Sequence, residues 1–82
     1  MSEYYDISIM VDATISAKQF ADLIWTFFGD YLEIHWNSME YYDDWIYLDA
    51  SYDSDDEKEV FEFLEKSPIC KLNYQAMQEE FD

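Results

Sequence analysis

The chain has no arginine, one cysteine, one proline, one glycine and one histidine in 82 residues, and four lysines stand against 20 Asp and Glu. Each scarcity excludes something. A single cysteine, Cys70, forms no internal disulfide, so a disulfide scaffold is excluded and a reducing compartment, the cytoplasm, is the expected location. Cys70 and the lone His35 fall short of a four-ligand zinc site. Four lysines give no basic footprint for phosphates, which excludes direct nucleic-acid binding. No apolar run approaches the roughly 18 residues of a spanning helix, so no membrane contact is expected. Glu3 and Asp6 stand where a secretory leader is positively charged.

What is present is apolar and aromatic. Half the residues are hydrophobic, and 3 Trp, 8 Tyr and 6 Phe make up 21% of the chain. Such a composition can bury enough surface to fold despite a formal charge of −16. The length holds one domain, residues 1–82, with 75–82 as a loose acidic tail or frayed helix.

Residues 3–12 alternate, with Tyr5, Ile7, Ile9 and Val11 on one side, and read as a strand with one wet face. Ser16 with Gln19 fits a capping box, and Ile15 with Phe20 fits a hydrophobic staple. Phe20, Leu23, Ile24, Phe27 and Phe28 recur at helical spacing, predicting a helix over 17–28 that stops at Gly29. Trp25 falls off that stripe. Residues 31–36 alternate again, with Leu32, Ile34 and Trp36 inward, and residues 37–40 are the expected turn. A third strand is predicted over 41–52, with Ile46, Leu48 and Ala50 inward. Ser54 with Glu57 fits a second capping box, opening a helix over 55–66 with Val60, Phe61 and Leu64 as its stripe. Acids in its first turn and Lys66 in its last suit the helix dipole, and Pro68 ends it. Residues 69–74 are a possible fourth strand, in which Lys71 and Asn73 break the apolar pattern.

The expected fold class is α+β: a compact single-layer antiparallel sheet with two helices on one face, in β-α-β-β-α-β (ferredoxin-like) order. One sheet face is then bare and carries Tyr4, Met10, Tyr31, Trp45 and Tyr47 among Asp6, Glu33 and Asp49. Bases stack on such rings in RNA-recognition modules, but this face is acidic and repels the backbone. Protein contact suits it better, since Tyr and Trp concentrate at interface centres. Self-association through it to a dimer is opposed by the charge on each copy, so monomer and dimer both remain open.

Catalytic chemistry finds no motif, and no catalytic residue is assigned. Nucleophilic catalysis needs His35, and Cys70 falls on another strand. With 20 acids some carboxylates must lie close together, which makes such pairs uninformative about acid–base catalysis. A calcium loop starting at Asp53 needs Gly at its sixth position and Glu at its twelfth, where Lys58 and Leu64 stand. No metal and no cofactor are expected.

Between Glu40 and Glu65 there are eleven acids and one lysine, a net of −10. Asp55, Asp56, Glu59 and Glu62 follow helical i, i+3, i+4 spacing, where like charges destabilise by a few tenths of a kcal/mol per pair. Stability alone selects interspersed Lys and Arg. A domain of this length is about 30 Å across, and that length of duplex DNA carries roughly 18 charges. The expected function is therefore that of an acidic nucleic-acid mimic, an inhibitor blocking the basic DNA- or RNA-binding groove of a host defence nuclease or nucleic-acid-binding complex. The contact residues expected from charge and aromaticity are Glu40, Asp43, Asp44, Asp49, Asp53, Asp55, Asp56, Glu59 and Glu62, with Tyr41, Tyr42, Trp45 and Tyr47 as anchors. In size and charge alone the chain resembles phage-encoded anti-CRISPR and anti-restriction proteins. An immunity protein neutralising a basic nuclease toxin, or an acidic domain with an ordinary protein partner, draws on the same residue types.

Overall fold

The computed structural model describes residues 3–73. Four strands form one antiparallel sheet in the order β2-β3-β1-β4, where β1 is Tyr4–Asp12, β2 Leu32–Tyr41, β3 Trp45–Asp53 and β4 Cys70–Leu72. Between β1 and β2 runs a helix in three parts: α1 (Ala17–Leu23), a π-helical turn (Ile24–Phe28) and α2 (Gly29–Tyr31). A 3-10 turn (Ser54–Asp56) and α3 (Glu57–Lys66) join β3 to β4. The element order is thus β-α-β-β-α-β, an α+β domain with a four-stranded antiparallel sheet.

Alternation along the strands builds the core. Ile7, Ile9 and Val11 of β1 pair with Ala50, Leu48 and Ile46 of β3. Cys70 and Leu72 of β4 pair with Val11 and Ile9. Against this face pack Leu23, Phe27 and Phe28 from the first helical segment and Val60 and Leu64 from α3. Phe63, outside the stripe expected of α3, stacks on Phe27 with ring centroids 3.8 Å apart and planes at 14°. No charged or polar residue is buried among the described residues.

The first capping box forms as the sequence dictates. The Gln19 amide donates to Ser16 Oγ (3.1 Å) and the Ser16 amide to Gln19 Oε1 (2.9 Å). The predicted stop at Gly29 does not occur: φ there is −66°, and its amide donates to the Ile24 carbonyl across a π turn. A π turn accommodates one extra residue, so Phe27 and Phe28 are both buried while the helix continues to Tyr31. A Cβ on residue 29 would lie 3.1 Å from the Ile24 oxygen, so glycine fits this turn by its lack of bulk rather than by positive φ. Tyr31 consequently belongs to the helix, its ring 5.9 Å from that of Phe27, and not to the bare sheet face.

The turn expected over residues 37–40 is instead an irregularity within β2. From His35 to Glu40 the strand advances five residues while β3 advances two, from Asp49 to Tyr47. Ser38 stitches the bulge, its hydroxyl accepting from the Asp49 amide (2.8 Å) and donating to the His35 carbonyl (2.6 Å). Asn and Ser offer such local bonds as readily to an edge-strand bulge as to a turn. Trp36, expected inward, stands at this bulge with 51% of its surface exposed. The chain reverses beyond the bulge, at Asp43 and Asp44, where the Tyr42 amide donates to the Trp45 carbonyl (2.9 Å). No described residue has positive φ, so this is not one of the primed turns that usually close short hairpins. A bond from the Ala13 amide to the Asp44 carbonyl (3.0 Å) ties the tip to the end of β1.

The second capping box is replaced. Asp53, not Ser54, accepts from the Asp55 amide (2.9 Å), and Ser54 instead pairs with the backbone of Glu3. The helix expected from residue 55 accordingly begins at Glu57, after the 3-10 turn. The expected fourth strand is limited to Cys70–Leu72, and the predicted acidic tail, residues 75–82, lies outside the described residues.

Candidate functional site: a divided acidic surface

Among the described residues 17 acids stand against 4 lysines, a net of −13. Every one of these carboxylates is exposed except those of Asp12, Asp53 and Asp56, which are half-buried. Two of the three act locally. Asp12 accepts from the Thr14 amide (2.7 Å) and hydroxyl (2.6 Å), bonds that hold its carboxyl below the usual range. Asp53 caps the 3-10 turn.

The thirteen contact residues expected from the sequence separate into distinct places. Glu40, Tyr41, Tyr42, Asp43, Asp44, Trp45 and Tyr47 gather at the β2–β3 hairpin. Asp53, Asp55 and Asp56 lie at the opposite end of β3, eight residue steps from Trp45, or roughly 26 Å at strand rise. Asp49 faces out from mid-strand, and Glu59 and Glu62 lie on α3, on the other side of the sheet. The acids therefore wrap the domain rather than forming one ridge.

At the hairpin, rings and carboxylates are interlocked. Tyr42 donates its hydroxyl to Glu40 Oε2 (2.7 Å), and this bond to a carboxylate raises the phenol above its ordinary range. The Tyr42 and Tyr47 rings lie 4.7 Å apart. Lys71 sets its Nζ 4.4 Å from the centroid of the Trp45 ring. Tyr41 and Tyr42 remain 72% and 53% exposed. Trp36 is exposed as well, at the β2 bulge, and exposed amphipathic rings of this kind anchor protein interfaces.

The bare sheet face carries a network that sequence reasoning did not anticipate. Ser51 Oγ lies 3.0 Å from Asp6 Oδ1 and 2.9 Å from His35 Nε2, and Ser8 donates to Asp49 Oδ1 (2.7 Å). Register explains it, since Asp6 pairs with Ser51, Glu33 with Ser51 on the other side, and His35 with Asp49. A hydroxyl has one proton. Ser51 gives it to Asp6 Oδ1, and the part Nε2 plays toward Ser51 follows the imidazole tautomer. Among the described residues no three His, Cys, Asp or Glu converge as a metal site, and no helix is long and apolar enough to cross a membrane. Cys70 is buried, and burial pushes its thiol up to about 12.

A second feature missed in the sequence is an open cleft of about 710 Å³ between α1 and α3. Leu23, Phe27, Phe63 and Ile69 line its apolar part, and Asp22, Glu59, Glu62 and Lys66 supply its charges. Only the pairing of Phe63 with Phe27 could have signalled it, and the stripe expected of α3 omitted Phe63.

The longest dimension is 38 Å, so a net of −13 is one charge per about 2.9 Å. Duplex DNA has one per ~1.7 Å and a single strand one per ~3.4 Å. The likeness to a duplex drawn from composition thus weakens, and the spacing lies nearer that of one strand. No protein-family model matches the chain, and neither a curated protein nor a solved structure is significantly similar to it.

Proposed function

We propose that the protein is an acidic nucleic-acid mimic, an inhibitor that occupies the basic DNA- or RNA-binding groove of a nuclease or nucleic-acid-binding complex in the cytoplasm. The observation that carries this reading is the wholly superficial charge: −13 across the described residues, with no charged side chain buried. Carboxylates kept in water cost no desolvation in the free protein and remain available to pair with Lys and Arg of a target. Exposed ion pairs contribute little singly, so the hairpin rings Tyr41, Tyr42, Trp45 and Tyr47 supply the anchoring contacts. The reading is of a binding protein, not an enzyme. The split strand order β2-β3-β1-β4 supports a ferredoxin-like description of the scaffold.

Size and charge favour an inhibitor of the anti-CRISPR or anti-restriction type, carried by a phage. An immunity protein against a basic nuclease toxin would use the same surface, and an adjacent toxin reading frame would favour it. The test is the ionic-strength dependence of binding to the target. Affinity falling steeply between 50 and 500 mM salt is expected, and affinity unchanged over that range refutes charge-driven mimicry.

A further inference from the structure

We propose that the cleft between α1 and α3 receives a cationic amphipathic segment of the partner protein, its apolar side chain seated against the half-buried Phe63 and Ile69, over the buried Phe27 ring, and its Lys or Arg on the acidic rim. The proposal rests on the reading of the partner as a basic protein and specifies how that partner is held. The cleft's volume, about 710 Å³, falls within the range that encloses side chains or small ligands. Its floor is apolar, and three carboxylates, Asp22, Glu59 and Glu62, outnumber the one ammonium, Lys66, around it. Apolar anchors flanked by charge are how a helix groove recognises an amphipathic segment.

Charge complementarity selects this occupant over two others. Residues 74–82 of the same chain carry Glu79, Glu80 and Asp82 and no lysine, and so share the sign of the rim. A second copy brings a further charge of −16. A cationic segment alone relieves the repulsion between Glu59 and Glu62 while covering the rings.

The experiment is a titration of the isotopically labelled full-length protein, followed by amide NMR shifts, with two synthetic peptides of equal charge. One is a 14-residue peptide of Lys and Leu in amphipathic helical order, and the other contains lysine as its only charged residue among Gly and Ser. The Lys–Leu peptide should shift the amides of Leu23, Phe27, Phe63 and Ile69 saturably, and the Gly–Ser–Lys peptide should leave them in place. Thr26→Arg, at an exposed position lining the cleft, should weaken the Lys–Leu peptide at least tenfold. Identical shifts with both peptides would overturn the proposal. So would floor shifts that track protein concentration alone, which mark a second copy, or intramolecular Overhauser contacts from residues 74–82 that persist at saturating peptide. Competition with DNA plays no part in this titration. Its failure would remove the mimic reading while leaving the cleft result standing, and the converse also holds.

Discussion

Glu59→Gln with Glu62→Gln separates the charge of α3 from its contribution to folding. Glu59 lies i+4 from Asp55, i+3 from Asp56 and i−3 from Glu62, and all are exposed except Asp56. Glu62 also lies i−3 from Glu65, and relief of these four like-charge pairs is worth about 0.2–0.5 kcal/mol each. Against this, Glu59 sits in the first turn of α3, where an acid gains about 0.3–1 kcal/mol from the dipole. Glu62 also stands four residues from both Lys58 and Lys66, spacings worth a further ~0.2–0.5 kcal/mol each. These contributions nearly cancel, so the double variant should remain within roughly 0.5 kcal/mol of the parent, or about 4 °C in Tm for a domain of this size. Thermal unfolding by circular dichroism reads this directly. Binding to the target should weaken, with a shallower dependence of log Kd on log salt. A loss of more than about 8 °C would show that these acids are structural, and unchanged binding would remove α3 from the interface.

Other consequences follow from the core and the special backbone. Leu48→Ala, at a fully enclosed position of β3, should cost about 2–5 kcal/mol in urea unfolding, and a cost below 1 kcal/mol would contradict the packing described. Gly29→Ala should fail to give the ~1 kcal/mol gain usual in a helix, because its Cβ meets the Ile24 oxygen at 3.1 Å; a full gain would argue against the π turn. Cys70 titrates near 12 when folded against an ordinary 9.0. The unfolded chain therefore loses its proton first, and stability, intact below pH 9, should fall as pH rises from 9 toward 12, by up to ~1.4 kcal/mol per pH unit. Cys70→Ala should flatten that fall, and an equal slope in the variant would assign it to other groups such as Tyr52, which burial also raises.

Much of the fold was legible because each strand repeats every second residue and each helix about every third or fourth. Ile7, Ile9 and Val11 declared β1, and Ile46, Leu48 and Ala50 declared β3, with the faces they occupy. The Ser16–Gln19 box marked the start of α1. Where reading failed, local signals had two structural uses. Asn37 and Ser38 mark a bulge as well as a turn, Gly29 suits a π turn as well as a stop, and Asp53 competes with Ser54 to cap the turn before α3. Of the candidate site, the aromatic and acidic content of the hairpin was visible in the sequence. The division of the acids between sheet ends and helix layer was not, because it depends on the length of β3 and the side of the sheet on which α3 packs. The Asp6–Ser51–His35 network depends on strand register, which joins residues 45 positions apart.

The central claim is mimicry of a nucleic acid, and displacement tests it most directly. The protein, immobilised and exposed to lysate of the cells in which it acts, captures its partner. The washed complex is then challenged with a short oligonucleotide, single- or double-stranded, and separately with salt of equal ionic strength. The account predicts that captured partners are nucleic-acid-binding proteins and that an oligonucleotide releases them at concentrations where matched salt does not. Partners that bind the protein and the oligonucleotide together, with no displacement at saturating oligonucleotide, would contradict it.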